Sequence, residues 1–233
     1  MKRLVIEGQH ELTGKIKIGG AKNSVVALIP AAILASNEAV IYNVPKISDV
    51  DNLKKITEYL GSEISFINDT IKINNKAVQN KEITNEYSTK LRASYYYMGT
   101  LLTKYKHVEI SFPGGCNIGS RPIDLHLKGF EKMGANIEQI DDKYIIDAPD
   151  LHGAEIFLDV ASVGATLNIM FAAVKAKGIT HIYNSAMEPE IVNVAAFLNS
   201  MGAKIYGAGT SEIKIVGVDN LTNGIVEVIP DRI

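Results

Sequence analysis

Leu60-Gly61-Ser62-Glu63-Ile64, Met133-Gly134-Ala135-Asn136-Ile137 and Met201-Gly202-Ala203-Lys204-Ile205 are three copies of one pattern, [Leu/Met]-Gly-[Ser/Ala]-x-Ile. The glycines stand roughly 70 residues apart, which marks a repeated supersecondary unit. Each follows an amphipathic stretch (52–60, 125–133 and 191–201) and precedes an Ile-rich one. That order predicts a helix whose C-cap glycine turns the chain into a strand. A second short strand closes each copy, at 70–73, 144–147 and 212–216. Upstream of each amphipathic stretch lies a β-like run (39–42, 108–111, 181–183), and before it a helix apolar on nearly every side (24–35, 91–102, 163–174).

A helix without a polar face must be buried, whereas an amphipathic one covers a surface. Short alternating runs such as Lys15-Ile16-Lys17-Ile18 and Thr70-Ile71-Lys72-Ile73 bury one face of a strand and wet the other. The pattern therefore predicts an α/β domain of three βαβαββ-type repeats, with helices inside and small sheets outside, around a pseudo-threefold axis. Residues 2–7 and 226–229 read as strands lacking a partner in the chain.

The 233 residues are 46% hydrophobic and 21% charged, and 24 Lys and Arg against 26 Asp and Glu leave a net charge of −2. This is a globular composition. It offers no basic footprint for nucleic acid, so no nucleic-acid partner is expected. The longest apolar run, 25–35, is interrupted by Pro30 and falls short of the ~18–20 residues a membrane span needs. Neither a membrane segment nor a signal peptide is expected. The single cysteine, Cys116, excludes an internal disulfide and a Cys-rich zinc site, and points to a cytoplasmic protein. The histidines (His10, His107, His126, His152, His181) show no metal-ligand spacing, so no metal is expected.

The most irregular segment runs Phe112-Pro113-Gly114-Gly115-Cys116-Asn117-Ile118-Gly119-Ser120-Arg121-Pro122-Ile123-Asp124-Leu125-His126. A thiol on a Gly-rich loop, five residues from Arg121, is placed either as an activated nucleophile or proton donor, or as an inert core thiol beside a structural Arg. In the first copy Gly19-Gly20-Ala21-Lys22-Asn23 enters the apolar helix. Free N–H groups, the helix dipole and Lys22 would make an anion site there, the other reading being a solvated lysine. The spacing is not that of a P-loop. In the second copy Arg92 opens the apolar helix, where its charge needs a partner. In the third, Ala161-Ser162-Val163-Gly164 starts the helix with an N-cap hydroxyl. By repeat symmetry Lys22, Arg92 and Ser162 point at one end of the domain, and convergence with Arg121 would create a pocket for a small, multiply charged anion. Tyr95-Tyr96-Tyr97 reads as packing. Asp49, Asp51, Glu188 and Glu190, in the corresponding loops, read as helix caps or hydroxyl ligands. His126 is either a site residue or a satisfied histidine at a helix start.

Lys22-Asn23, Leu91-Arg92-Ala93, Pro113-Gly114-Gly115-Cys116, Gly119-x-Arg121-Pro122-x-Asp124-Leu125-His126, Ser162-Val163-Gly164-Ala165-Thr166, Glu188-Pro189-Glu190 and Pro230-Asp231-Arg232 resemble the UDP-N-acetylglucosamine 1-carboxyvinyltransferases along the whole chain. The resemblance implies an inside-out α/β barrel of the enolpyruvyl transferase type. It also implies transfer of enolpyruvate from phosphoenolpyruvate to the 3′-hydroxyl of UDP-N-acetylglucosamine, with release of phosphate, in the first committed step of peptidoglycan synthesis, without a cofactor. Cys116 would be the proton donor and the site of fosfomycin alkylation. Lys22, Asn23 and Arg121 would hold phosphoenolpyruvate. Arg92, Arg121, Pro122, Ile123, Asp124 and Leu125, with Ala161, Ser162, Val163 and Gly164, would contact the UDP-sugar. His126, Glu188, Glu190, Asp231 and Arg232 would support them.

The resemblance further implies that the chain corresponds to the N-terminal portion of the family. Residues 1–21 would pair with a second domain, 22–229 would form the three-repeat domain, and 230–233 would begin the crossover. That second domain supplies a catalytic Asp, an Arg and much of the uridine pocket, so this chain alone is expected not to turn over. A non-catalytic anion-binding module and a shikimate-type enolpyruvyl transferase are the alternatives, the Cys-bearing loop standing against the latter.

Overall fold

The computed structural model describes residues 3–11, 13–112 and 123–233. The first repeat comprises α1 (Lys22–Ala32), β1 (Glu38–Tyr42), α2 (Ser48–Tyr59), β2 (Glu63–Ile67) and β3 (Thr70–Asn74), followed by the one-turn α3 (Asn85–Ser88). The second comprises a 3-10 turn (Arg92–Tyr95), α4 (Tyr96–Tyr105), β4 (His107–Ser111), α5 (Asp124–Lys132), β5 (Asn136–Ile140) and β6 (Lys143–Asp147). The third comprises β7 (Glu155–Phe157), α6 (Val163–Ala173), β8 (Ile179–Tyr183), α7 (Pro189–Ser200), β9 (Lys204–Tyr206) and β10 (Glu212–Val216), and β11 (Gly224–Glu227) ends the order.

The three quoted motifs form three like structures. Gly61, Gly134 and Gly202 adopt φ of +102°, +89° and +98°, the left-handed region that a Cβ makes costly. At each, the glycine N–H donates three residues back and the following N–H donates five back: Gly61 to Glu58 and Ser62 to Thr57, Gly134 to Glu131 and Ala135 to Phe130, Gly202 to Asn199 and Ala203 to Leu198. These are Schellman caps, which satisfy the last helical carbonyls and redirect the chain into β2, β5 and β9.

The helices α1, α4 and α6 are buried almost throughout. α4 packs on both α1 and α6, and α7 bridges α1 and α6. Among the described residues three small sheets lie outside them, ordered β11-β1-β3-β2, β4-β6-β5 and β7-β8-β10-β9. Helices inside and sheets outside is thus the observed architecture, and the alternating burial of β3 and β10 follows from it. Asn75 closes the end of α1: its Nδ2 donates to the Ala32 carbonyl at 2.7 Å, while its Oδ1 accepts from Ser62 Oγ at 2.8 Å.

Two expectations are corrected at the ends of the chain. The 226–229 segment was expected to lack a partner here, yet β11 pairs in parallel with β1, from Ala39 opposite Gly224 to Tyr42 opposite Glu227. It takes the place that β7 takes beside β8 in the third sheet and that Ile83, bridged to Ile110, takes in the second. The same polar tie repeats: Asn43 Nδ2 donates to Val228 O at 2.9 Å and Asn184 Nδ2 to Leu158 O at 2.8 Å. Conversely, the alternating 15–18 run forms no strand, and Ile16 and Ile18 are exposed. The edge of β1 that a leading strand would occupy is already filled by β11. Residues 3–11 likewise carry no strand.

Candidate functional site

The starts of α1, of the Arg92–Tyr95 turn and of α6 meet at one end of the domain around a cavity of about 600 Å³. Lys22, Asn23 and Asp49 come from the first repeat, Arg92, Tyr95 and Tyr96 from the second, Val163 and Glu190 from the third, and Arg232 from the segment after β11.

Lys22 Nζ pairs with Asp49 at 3.2 Å. Asp49 was expected as a cap or hydroxyl ligand, but α2 has no side-chain cap, and the carboxylate turns to Lys22 instead. One backbone N–H of the anion site predicted at the start of α1 already has a partner within the chain: the Lys22 N–H donates to Asp231 Oδ2 at 3.2 Å. The bond from the Ile233 N–H, and then that from Lys22, hold the Asp231 carboxyl below its ordinary pKa. Gly20 makes room for the chain itself, since a Cβ there would collide with the Asn43 carbonyl oxygen. The end of the chain is zipped to this loop through Ala21 N to Ile229 O at 2.8 Å and Asp231 N to Gly19 O at 2.9 Å, which delivers Arg232.

Glu190 is 2% exposed. Arg232 grips it twice, Nη2 to Oε1 at 3.1 Å and Nε to Oε2 at 3.2 Å, and Asn23 Nδ2 donates to Oε1 at 3.4 Å. Burial alone would raise its pKa. Arg232, with the backbone and Asn23, outweighs burial and holds the carboxyl below its ordinary value. Glu190 is thus an ionised, buried group in the first turn of α7 that also orients Arg232 and Asn23.

Arg92 lies over the Tyr95 ring, 5.6 Å from its centroid. Tyr95 meets the His126 ring edge-on at 4.9 Å. His126, at the start of α5, is buried, and burial followed by the charge of Arg92 pushes its pKa down to about 3, so the imidazole is neutral. Its Nδ1 stands 2.8 Å from Asn168 Nδ2. Gly164 lets α6 come this close, because a Cβ there would meet His126 and the Tyr95 hydroxyl at 2.9 Å.

Of the predicted residues, Lys22, Asn23, Arg92, Val163, Glu190 and Arg232 line one cavity. Asp231 supports it through Lys22, and His126 and Gly164 lie behind Tyr95. Ser162 caps α6, accepting from the Ala165 N–H at 3.3 Å. Ile123 is buried ahead of α5 and Asp124 is exposed on its first turn. Leu125 lines a separate groove between α5 and β7. Ala161 and Glu188 flank the starts of α6 and α7 without lining the cavity. Cys116, Arg121 and Pro122 lie outside the described residues. Sequence reasoning missed Tyr95, hidden in a Tyr run that read as packing, and Asn168. An amide in the middle of an all-apolar helix was the available signal for the latter. Among the described residues no cluster could hold a metal ion, and no helix is long and apolar enough to cross a membrane.

The fold is that of the enolpyruvyl transferases. The crystal structure of the enolpyruvyl transferase NikO from Streptomyces tendae superposes with a TM-score of 0.83 over 97% of this chain and 54% of that one, at 21% identity. Residues 6–233 match the EPSP synthase (3-phosphoshikimate 1-carboxyvinyltransferase) family, and the chain belongs to that family. It is 51% identical over 233 residues to UDP-N-acetylglucosamine 1-carboxyvinyltransferase 2 of Oceanobacillus iheyensis, covering all of this chain and 54% of that protein. Identity is also 51% over 236 residues to the enzyme of that name from Lactiplantibacillus plantarum, covering 100% and 55%. The chain thus spans about half the length of the curated relatives it matches.

Proposed function

We propose that this chain forms the substrate-holding half of a UDP-N-acetylglucosamine 1-carboxyvinyltransferase, a cytoplasmic enzyme of peptidoglycan synthesis. The supporting observation is the convergence of Lys22, Asn23, Arg92 and the Glu190–Arg232 pair on one cavity, from all three repeats and the chain end. Lys22 and Asn23, with Arg121, hold the phosphate and carboxylate of phosphoenolpyruvate. Arg92, Val163 and the 121–125 segment hold the UDP-sugar. The sugar 3′-hydroxyl adds to C2 of phosphoenolpyruvate while Cys116 protonates C3, and its proton passes to a base. The tetrahedral ketal then loses phosphate from C2 and a proton from C3, leaving the enolpyruvyl ether. Fixed cations stabilise the charge that collects on phosphate and carboxylate, and a thiol of tuned pKa supplies the proton. The rest of the longer protein would close over the cavity, so efficient turnover would require groups from both sides.

The test is alkylation of Cys116 by fosfomycin, followed by intact mass across pH with Cys116→Ser as blank. The reading expects faster labelling by this anionic reagent than by a neutral epoxide. Lys22→Ala should slow the anionic reagent more than the neutral one. Labelling only above pH ~8.5 with no preference for anions is the behaviour of a free thiol and would overturn it. Anion-selective labelling, with no phosphate release even from a full-length protein, would leave the non-catalytic binding module.

A further inference from the structure

Asn168 stands in the middle of α6, fully buried, in a helix otherwise composed of apolar residues, Gly and Thr. A buried primary amide is costly unless its groups are bonded. Its side-chain bonds reach across to other elements. Oδ1 accepts from the Gly99 N–H at 3.0 Å, and Nδ2 donates to the Tyr95 carbonyl at 3.1 Å. Those backbone groups are four residues apart, the two ends of the first turn of α4, and the amide lies across both. The approach requires Gly99, where a Cβ would stand 2.4 Å from the Asn168 backbone oxygen and 2.9 Å from Oδ1.

These contacts fix which way the amide faces. A backbone N–H can only donate and a carbonyl can only accept, so exchanging oxygen and nitrogen would break both bonds. Nδ2 therefore faces His126 as a donor at 2.8 Å, and His126 Nδ1 must accept. The imidazole is then neutral with its proton on Nε2. The charged or titratable groups facing it are Arg92 and Tyr95 among the described residues, with Asp124 on its own helix. His126 in turn supports the Tyr95 ring, over which Arg92 lies.

We propose that Asn168 is a positioning residue: its amide locks the Tyr95–Gly99 turn and His126 together and so sets where the Arg92 guanidinium stands for the UDP-sugar. The ligand part of this inference rests on the function proposed above; the positioning part does not.

The test uses Asn168→Asp, which keeps the shape and cannot donate, and Asn168→Leu, which keeps the size and cannot bond. Three quantities are read: the nitrogen NMR spectrum of His126, the ring-current shift of the Arg92 side chain by Tyr95, and the affinities for UDP-N-acetylglucosamine and phosphoenolpyruvate measured separately. In the unsubstituted chain His126 should show a proton on Nε2 alone. Asn168→Asp should move a proton to Nδ1, and both variants should lose the Arg92 shift. UDP-sugar affinity should fall about tenfold, the worth of one net hydrogen bond, with phosphoenolpyruvate affinity unchanged. A purely structural role would weaken both ligands alike, or neither, and either result overturns the proposal. If one variant fails to fold, the other decides by the same three readings. If the unsubstituted chain binds no UDP-sugar, the Cys116 labelling above still decides the proposed function and the spectra alone decide this inference: an Arg92 shift retained in the variants overturns the positioning role, and its loss upholds it.

Discussion

Arg232→Ala removes the double grip on Glu190 and leaves a carboxylate that is 2% exposed with Asn23 at 3.4 Å as its remaining side-chain partner. A hydrogen bond to a charged group is worth about 1.5–3 kcal/mol, and stranding a buried charge costs more. Arg232 is itself 48% exposed, so water screens part of the pair, and a total near 2 kcal/mol is expected. For a chain of this size that lowers Tm by about 4–8 °C. The pH dependence carries the sharper test. In the unsubstituted chain the Glu190 pKa lies below its unfolded value, so the carboxyl contributes stability above the unfolded pKa and loses it as pH falls through the folded one. Without Arg232, burial prevails and the folded pKa rises above the unfolded value, so stability falls as pH rises. The deficit of Arg232→Ala should therefore grow between about pH 4 and pH 7. In a Glu190→Gln background no charge is stranded, and the second substitution should cost under about 1 kcal/mol. Thermal unfolding of the four chains across that range measures both effects. A deficit independent of pH, or two losses that simply add, would refute the burial argument.

Gly202→Ala meets open space and should lose only the left-handed backbone cost of about 1 kcal/mol, whereas Gly134→Ala would also drive a Cβ to 2.5 Å from the His152 ring and should lose more. Denaturant unfolding that ranks them equally would contradict the contact geometry. His107 is bonded to Asp147 at 2.7 Å, which raises its pKa against opposing burial, with Glu109 adding to the rise. Its contribution should be complete below the ordinary histidine pKa and disappear as pH rises through the folded value, and His107→Gln should flatten that part of the stability curve. An unchanged slope would show that the pair contributes nothing.

The repeats were legible because their signals are local. A glycine after an amphipathic run reports its own positive φ at Gly61, Gly134 and Gly202, and a helix with no polar face, such as α6, can only be interior. Repeat symmetry then carried Lys22, Arg92 and the third-repeat residues to one end of the domain. What stayed illegible depends on distant partners. Nothing within 224–227 tells that its neighbour is β1 at the opposite end of the chain, and the alternation of 15–18 is the same whether or not an edge remains for it. The start of α1 read as an open anion site because the Asp231 carboxylate that accepts its N–H lies 209 residues away. Asn168 looked like a defect in an apolar helix until Gly99 and Tyr95 were seen on the facing turn.

The strand that completes the first sheet also builds one wall of the site. β7 arrives beside β8 directly after the second repeat, but the first sheet must wait for β11, because nothing described before it in sequence pairs with β1 on that side. The strand that completes the first sheet then continues through the pairing of Gly20 with Pro230 and sets Asp231 on the start of α1 and Arg232 on Glu190. Opening of this last segment would remove Asp231 and Arg232 together from the cavity while leaving the Schellman caps, the inner helices and the Asn168 clamp in place. The Arg92 side of the site is therefore held by the core, and the Arg232 side by a strand added at the chain's end. Conditions that loosen β11 should act on the Lys22 and Glu190 wall of the cavity before they reach the Arg92 wall.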